Sequence, residues 1–312
     1  MGEINSDTKV HVVRGAPWKD VVIKLLEPDS PYQPWSSVPD VEPGDAVIAI
    51  LDTDPASVIA VIREVGSDGR ADHAIAGCMD RDSDEWNGPP VLLELGTLRA
   101  LAGISFSREA AAVTISDADR LVEMMRDCAT AYYDQLYLNG HTTLAAARRL
   151  LRSGGRCTGC ACELDLASVN ARYHVHIHTV DVDPLAPLIP VAYEAPVEVV
   201  DDEEGYGSDS IRLAEDHWRP ISPPLDWPAV LCDACHDRMR AGGFTGFLDF
   251  RFSLHPACPA CSAHWTMRSI ATGFSEPVKE PWIWHTGCCP GQKWRCGACG
   301  HSFGGRFEFD GE

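Results

Sequence analysis

Four Cys-x-x-Cys pairs constrain this chain more than any other feature: Cys157/Cys160, Cys232/Cys235, Cys258/Cys261 and Cys296/Cys299. A two-residue spacer lets both sulfurs of one turn aim at a single point, and two such turns complete the tetrahedron that zinc prefers. Eleven of the 13 cysteines lie after residue 156. Clustering with this spacing points to metal binding rather than to a disulfide framework. The pairs combine into two structural zinc sites, one from Cys157, Cys160, Cys232 and Cys235, the other from Cys258, Cys261, Cys296 and Cys299. Cys162 is either a substitute ligand at the first site or a small buried residue.

The amino-terminal MGEINSDTKV has neither a basic head nor an apolar stretch, and no apolar run is long enough to cross a bilayer. The expectation is a cytoplasmic protein with no membrane partner. A formal net charge of -20 opposes general attraction to nucleic acid. The charge is uneven, however: residues 1–140 carry 24 acids and 11 bases, whereas residues 257–312 carry five of each. Contact with nucleic acid would therefore rest on local basic patches. The densest is Arg148, Arg149, Arg152 and Arg156, for which complementing a helix dipole is an equal alternative.

With 312 residues the chain can hold several cores. Residues 1–140 open with apolar runs, DAVIAILD and SVIAVIREV, bounded by proline, glycine and aspartate, as expected of strands in a barrel or sandwich. A third run, PVLLEL (90–95), leads into TLRALAGISF. Ser116, with Asp119 three residues on, begins a predicted helix whose Leu121, Met125, Cys128 and Tyr132 share a face. A second helix is predicted over Thr143–Arg152, stopped by Gly154-Gly155. Residues 141–253 form a second region, interrupted at 181–228 by an acidic, proline-rich insertion. Residues 254–312 form a third. The fold class is multidomain α+β.

Between the first two cysteine pairs stands Tyr173-His174-Val175-His176-Ile177-His178. Alternation along a strand places His174, His176 and His178 on one face. Three adjacent imidazoles offer a general base and metal ligands, and His236, just after Cys235, is placed to reach them. The alternative is a row of solvated histidines without chemistry.

The phrases RCTGCACELDL, HVHIH and DWPAVLCDACHDRM together resemble the HNH endonucleases of the zinc-stapled ββα-metal type. The resemblance implies a treble-clef-like module with zinc beneath a hairpin and helix. It also implies a base at His176 or His178, and a catalytic Mg or Mn ion held by His236 with His174 or Asp181. The asparagine which that family carries ahead of the second pair has no counterpart here; Asp226 and Trp227 stand in that neighbourhood.

The last two pairs sit in CPAC and CGACG with 34 residues between them, enough for a small hairpin. With Gly287-Cys288 and Trp294 they resemble small bacterial zinc-ribbon proteins, which implies a ribbon fold but no activity. Cys288, Cys289, His264, His285 and His301 are alternative ligands. Trp282, Trp284 and Trp294 are expected first as core and second as surfaces for stacking on bases.

The run VEPGDAVIAILDTDPASVIAVIREV, with LRALAGISFSREAAAVTISDADRLVEMM, resembles the EVE and wider PUA-like domains. That resemblance implies an amino-terminal β-barrel with helices and a pocket for an extruded or modified base. Trp18, Tyr32, Trp35 and Asp52 are its expected lining, with Asp54 and Trp86 as further candidates. A base-reading barrel joined to an HNH-like module resembles modification-dependent restriction endonucleases. The expectation is DNA as partner, phosphodiester hydrolysis as reaction and two structural zinc ions. A homodimer is left open. The alternative is a non-catalytic zinc protein that binds nucleic acid or another protein.

Overall fold

The computed structural model of the protein describes residues 10–27, 30, 31, 34, 46–65, 71–75, 91–106, 120, 121, 123–125, 135–181, 226–263, 267–272, 280–286 and 292–304. Helices mix with several small sheets, so the fold is α+β as expected. The chain divides into two compact units, Met1–Asp181 with Pro228–Arg238, and Val182–Trp227 with Met239–Glu312.

In the first unit, β1 (Val10–Gly15) pairs in parallel with β2 (Ala46–Leu51). Strand β2 runs antiparallel to β3 (Ser57–Val65), which also pairs β4 (Ala71–Ile75) and the two-residue β5 (Leu93–Glu94). Ile48, Ala49, Ile50 and Leu51 are consecutive and all buried. A strand covered on both faces reads as a continuous apolar run rather than an alternation, which is why DAVIAILD was conspicuous. Among the described residues the sheet stays open, with β1 and β4 at its edges, so no barrel closes there.

Helix α1 (Trp18–Leu26) departs from the strand-rich expectation for this region. Its Val-Val-Ile run has strand propensity, but Val21, Val22, Ile23 and Leu25 are nearly all sealed. Burying such side chains yields about 1.5–3 kcal/mol each, which outweighs a propensity difference of tenths. Helix α2 (Leu95–Ala102) takes up the TLRALA segment and stops at Gly103, whose φ of 67° closes a left-handed cap. Leu121 and Met125 are helical and pack in one cluster with Ile48, Val58, Leu93 and Leu98. Ser116, Asp119, Cys128 and Tyr132 lie outside the described residues.

Helix α3 spans Thr143–Arg152, the predicted bounds, with the Thr142 side chain accepting from the Ala145 N–H at 3.1 Å. Gly154 and Gly155 follow at φ 57° and 75°. Two of its arginines, Arg148 and Arg149, are engaged within the unit. Arg148 donates twice to the Leu92 carbonyl, at 3.0 and 2.9 Å, and lies 4.4 Å above the Tyr137 ring. Arg149 is buried and donates to Thr158 Oγ1 at 2.8 Å, while Arg156 pairs with Glu163 at 3.4 Å.

A single turn, α4 (Ala171–His174), leads into β6 (Val175–His178). Strand β7 (Ala229–Cys232) returns antiparallel to it, with His178 opposite Ala229, and runs directly into α5 (Asp233–Ala241). Helix α1 is tied to this hairpin: Lys19 Nζ donates to the carbonyls of Arg172 and Val175 at 2.5 and 2.6 Å, and Arg172 bonds Asp20 at 2.9 Å. Burial lowers the Lys19 pKa despite Asp20 beside it.

In the second unit, Asp226 Oδ1 accepts from the N–H groups of Trp227, Phe247 and Leu248 at 2.8, 2.7 and 3.2 Å. It thereby satisfies the orphan donors at the start of α6 (Phe247–Ser253). This structural task belongs to the residue standing near where the resembling family has asparagine. Trp227 and Phe247 meet Trp282 edge-on, at 5.8 and 5.5 Å between ring centroids. Beside them lies a four-stranded sheet in the order β11-β10-β8-β9. Its strands are β8 (Met267–Thr272), β9 (Ile283–Thr286), β10 (Trp294–Cys296) and β11 (Ser302–Phe303).

Candidate functional site

Three of the four cysteine pairs fold into the same turn. In each, the first cysteine's N–H bonds the carbonyl five residues on, and its carbonyl accepts from the N–H four residues on. The bonds are Cys157 to Cys162 and from Ala161, Cys258 to Ala263 and from Ser262, and Cys296 to His301 and from Gly300, all between 2.8 and 2.9 Å. The residue four positions on is left-handed each time: Ala161 at φ 60°, Ser262 at 59°, Gly300 at 72°. Only the last is glycine, so two knuckles hold side-chain-bearing residues in a region that ordinarily costs about 1–2 kcal/mol. The fourth pair is different. Cys232 ends β7 and Cys235 stands in the first turn of α5.

The sulfurs of Cys157, Cys160, Cys162 and Cys232 lie within 4.8 Å of one another. Cys162 thus occupies the place in this tetrad that the sequence reading gave to Cys235. Its sulfur is 3.2 Å from that of Cys160, which is 3.8 Å from that of Cys232. Cys235 is buried alongside, interacting with the thiols of Cys157 and Cys160. Five thiols therefore surround a place for one four-coordinate ion. They cannot all ionise together. Burial works against the Cys160 thiolate, but hydrogen bonds from Cys162 and neighbouring thiols outweigh it and bring its pKa to about 6. The bond to Cys160 pushes Cys162 up to about 12, and burial pushes Cys235 up. A divalent cation resolves this conflict by binding four of them as thiolates while the fifth keeps its proton, so the donor set fits zinc.

The knuckle also fixes its own glycine. A Cβ on Gly159 would sit 2.9 Å from Cys235 Sγ and 3.3 Å from Cys235 Cβ. Gly159→Ala is expected to destabilise the metal-loaded unit by about 1–3 kcal/mol through overpacking, read as a lower unfolding midpoint with zinc in excess.

In the second unit the sulfurs of Cys258, Cys261, Cys296 and Cys299 also lie within 4.8 Å of one another, the set expected from the sequence. Cys258 and Cys299 approach to 3.7 Å, as do Cys261 and Cys296. Met267 and the half-buried Trp294 and Phe303 pack beneath Cys258 and Cys296. His255 is buried next to them, its Nδ1 2.6 Å from the Met267 carbonyl. His301 is exposed and stacks on Phe303. His264, Cys288 and Cys289 lie outside the described residues.

The histidines of β6 converge with α5, through a residue that sequence reasoning passed over. Asp233, exposed at the start of α5, bridges two imidazoles: Oδ2 is 2.7 Å from His174 Nδ1 and Oδ1 is 2.7 Å from His176 Nε2. The bonds from His176 and His174 hold its carboxyl below the usual carboxylate range. His236 stacks on His176, with ring centroids 3.8 Å apart and planes 3° from parallel. His174 belongs to the turn α4 rather than to the strand, while His178 is half-buried at the strand's end and Asp181 is exposed beyond it. Asp233 immediately follows Cys232 in a pair read only for its sulfurs, which is why it was missed.

Among the described residues, only the two cysteine tetrads bring three or more metal-binding groups within 4.8 Å. The histidine cluster does not. Rings stacked face to face direct their in-plane nitrogen lone pairs side by side rather than toward one point. Both Asp233 oxygens are already bonded to histidine. A ready-made Mg or Mn site is therefore not formed there.

The expected base pocket is described only in part. Trp18 is half-buried at the start of α1, and Asp52 is exposed just after β2. The pairing of Gly15 with Leu51, continued by a bond from the Asp52 N–H to the Gly15 carbonyl at 3.3 Å, brings them to one end of the sheet. Asp54 is exposed, and its N–H donates to Thr143 Oγ1 at 2.6 Å. Tyr32, Trp35 and Trp86 lie outside the described residues. Among the described residues, no helix is long and apolar enough to cross a membrane. No family model, curated protein or solved structure matches the chain.

Proposed function

We propose that this protein is an intracellular DNA endonuclease of the HNH-like kind, held by two structural zinc ions and reading altered bases through its amino-terminal, PUA-like region. The observation that carries the proposal is the union of one knuckle, a β6–β7 hairpin and the α5 amino terminus around a thiol cluster, with His176, Asp233 and His236 gathered on that hairpin and helix. A knuckle plus a helix start is the arrangement expected of a treble-clef-like module; two facing knuckles, as around Cys258 and Cys296, suit a zinc ribbon. In this reading His176 is the general base. With Nε2 bonded to Asp233, its Nδ1 has the role of taking a proton from water as the water oxygen bonds to phosphorus. The P–O bond to the leaving sugar oxygen breaks, and that oxygen takes a proton from solvent. No step is assigned to a divalent ion, because the cluster as it stands does not assemble one.

The test is incubation of pure protein with DNA containing modified bases and with plain DNA of the same sequence, with Mg or Mn and without. Cleavage restricted to modified DNA supports the reading. Intact DNA in every condition, with two zinc ions bound, sinks it. A second reading, a non-catalytic zinc protein that binds nucleic acid or another protein, is favoured by the closed hydrogen bonding of His174, His176 and Asp233, and that negative result would select it.

A further inference from the structure

The Cys157 knuckle carries a sulfur that its two counterparts lack. In each knuckle the first cysteine bonds the carbonyl of the residue five positions on, and that residue is Cys162, Ala263 or His301. The left-handed Ala161, at φ 60°, folds Cys162 back onto the turn. There its sulfur lies 3.2 Å from that of Cys160. With Cys232 and Cys235 this makes five thiols around the place of one ion, whereas among the described residues the second cluster has the four of its tetrad.

The separations distinguish two kinds of contact. Two ligands of one tetrahedral zinc, each about 2.3 Å from it, stand about 3.8 Å apart. Cys160 and Cys232 meet that spacing at 3.8 Å, and the pairs Cys258–Cys299 and Cys261–Cys296 do so at 3.7 Å. Cys160 and Cys162 stand closer than that, in direct sulfur contact, the approach from which a disulfide of about 2.05 Å forms. Both are exposed, while Cys157 and Cys235 are buried, so a small oxidant needs no docking surface to reach the pair.

We propose that Cys160 and Cys162 are an oxidative modification site, at which a hydroperoxide joins them in a disulfide that opens the first zinc site and spares the second. The Cys160 thiolate attacks the near oxygen of the peroxide. An S–O bond forms, the O–O bond breaks, and the departing oxygen takes a proton from solvent. The Cys162 sulfur then attacks the Cys160 sulfenic acid; the S–S bond forms, the S–O bond breaks, and the hydroxide leaves as water with the Cys162 proton. Both sulfurs are oxidised and the peroxide is reduced. Whichever of Cys162 and Cys235 completes the tetrahedron beforehand, only Cys157, Cys232 and Cys235 remain, an open three-ligand site. Cys232 ends β7 and Cys235 stands in the first turn of α5, so loss of the ion loosens the elements that carry His176, Asp233 and His236. The proposal rests on zinc at the first thiol cluster and not on hydrolysis of DNA.

The experiment uses the full zinc-loaded chain, hydrogen peroxide as oxidant and a chromogenic zinc chelator as reporter. Wild type is expected to surrender one zinc ion per chain and retain the other, and a thiol reductant with added zinc should restore the first. Labelling with N-ethylmaleimide, followed by peptide mass spectrometry, should mark Cys157 and find Cys160 and Cys162 joined. Cys162→Ser keeps four thiols and should hold its zinc through the same exposure. Cys235→Ser keeps both reacting sulfurs and should form the same disulfide, so either variant that loads zinc gives a reading. Zinc held by peroxide-treated wild type, both ions lost together, a bond at Cys157 instead, or release from Cys162→Ser at the wild-type rate would each overturn the proposal. Wild type without zinc before any peroxide is added would overturn the metal assignment itself, and this proposal with it.

Discussion

On the proposed reading of two structural zinc sites, the double variant Cys157→Ser/Cys160→Ser is expected to bind one metal ion fewer than the wild type and to lose the fold of the first unit. Removing the knuckle leaves Cys162, Cys232 and Cys235, one thiol short of a closed tetrahedron. Structural zinc contributes about 10–16 kcal/mol of apparent binding free energy at neutral pH, which matches or exceeds the 5–15 kcal/mol that typically separates a folded domain from its unfolded chain. The loss should spread beyond the metal. The turn and hairpin next to the thiols supply the Arg172 and Val175 carbonyls that accept from Lys19, and the Arg172 guanidinium donates to Asp20. Amide exchange in α1 should therefore accelerate together with that in β6 and β7. Metal analysis and hydrogen exchange read both effects. Two zinc ions retained, or an α1 still protected, would show that the thiols are not what organises this unit. Comparing Cys162→Ser with Cys235→Ser then identifies the fourth ligand: the required residue lowers zinc affinity sharply, while loss of the other is nearly neutral.

If the proposed endonuclease activity is found, His176→Ala should lower it by about a hundredfold to ten-thousandfold, the range for losing a general base, with metal content near wild type. The side chain is partly exposed and lies outside the thiol tetrad, so its loss should cost the fold only the bond to Asp233 and the stack on His236 and leave metal binding intact. Asp233→Asn gives a sharper comparison. The amide retains the shape of the carboxylate but can accept from only one of the two histidines and does not stabilise an imidazolium. Its effect should fall chiefly on kcat, with the KM for DNA little changed. Wild-type cleavage by both variants would remove His176 and Asp233 from the chemistry.

How much of this was legible in sequence depended on whether the governing interactions were local. Helix α3 was read to its residue bounds because Thr142–Thr143 and Gly154-Gly155 encode both ends in the chain itself. The Cys258/Cys261/Cys296/Cys299 set was legible because two-residue spacing fixes where sulfurs point. Helix α1 was missed because a Val-Val-Ile segment looks extended until its burial is known. The arginine cluster of α3 gave no hint that Arg148 would reach the Leu92 carbonyl, 56 residues away in the chain. Cys162 stays open in the sequence between substitute ligand and buried residue because Cys-x-Cys spacing does not itself imply a knuckle; the fold exposes it and brings its sulfur beside that of Cys160. The knuckles also defied a residue rule, since Ala161 and Ser262 fill positions where glycine would be anticipated.

His178 and Ala229 face each other across the β6–β7 pair although fifty residues separate them in the chain, so that stretch leaves and re-enters the pair at one place. Loop-closure cost rises only logarithmically, by about 0.6 kcal/mol for each doubling of length. Val180, bonded to Gly140, and Asp226 and Trp227, which hold the start of α6 and its aromatic cluster, fix the two ends of the stretch, so sequence is exchanged at least expense strictly between Asp181 and Asp226. An engineer seeking a place to graft a new recognition element, or a tether to another protein, would begin there.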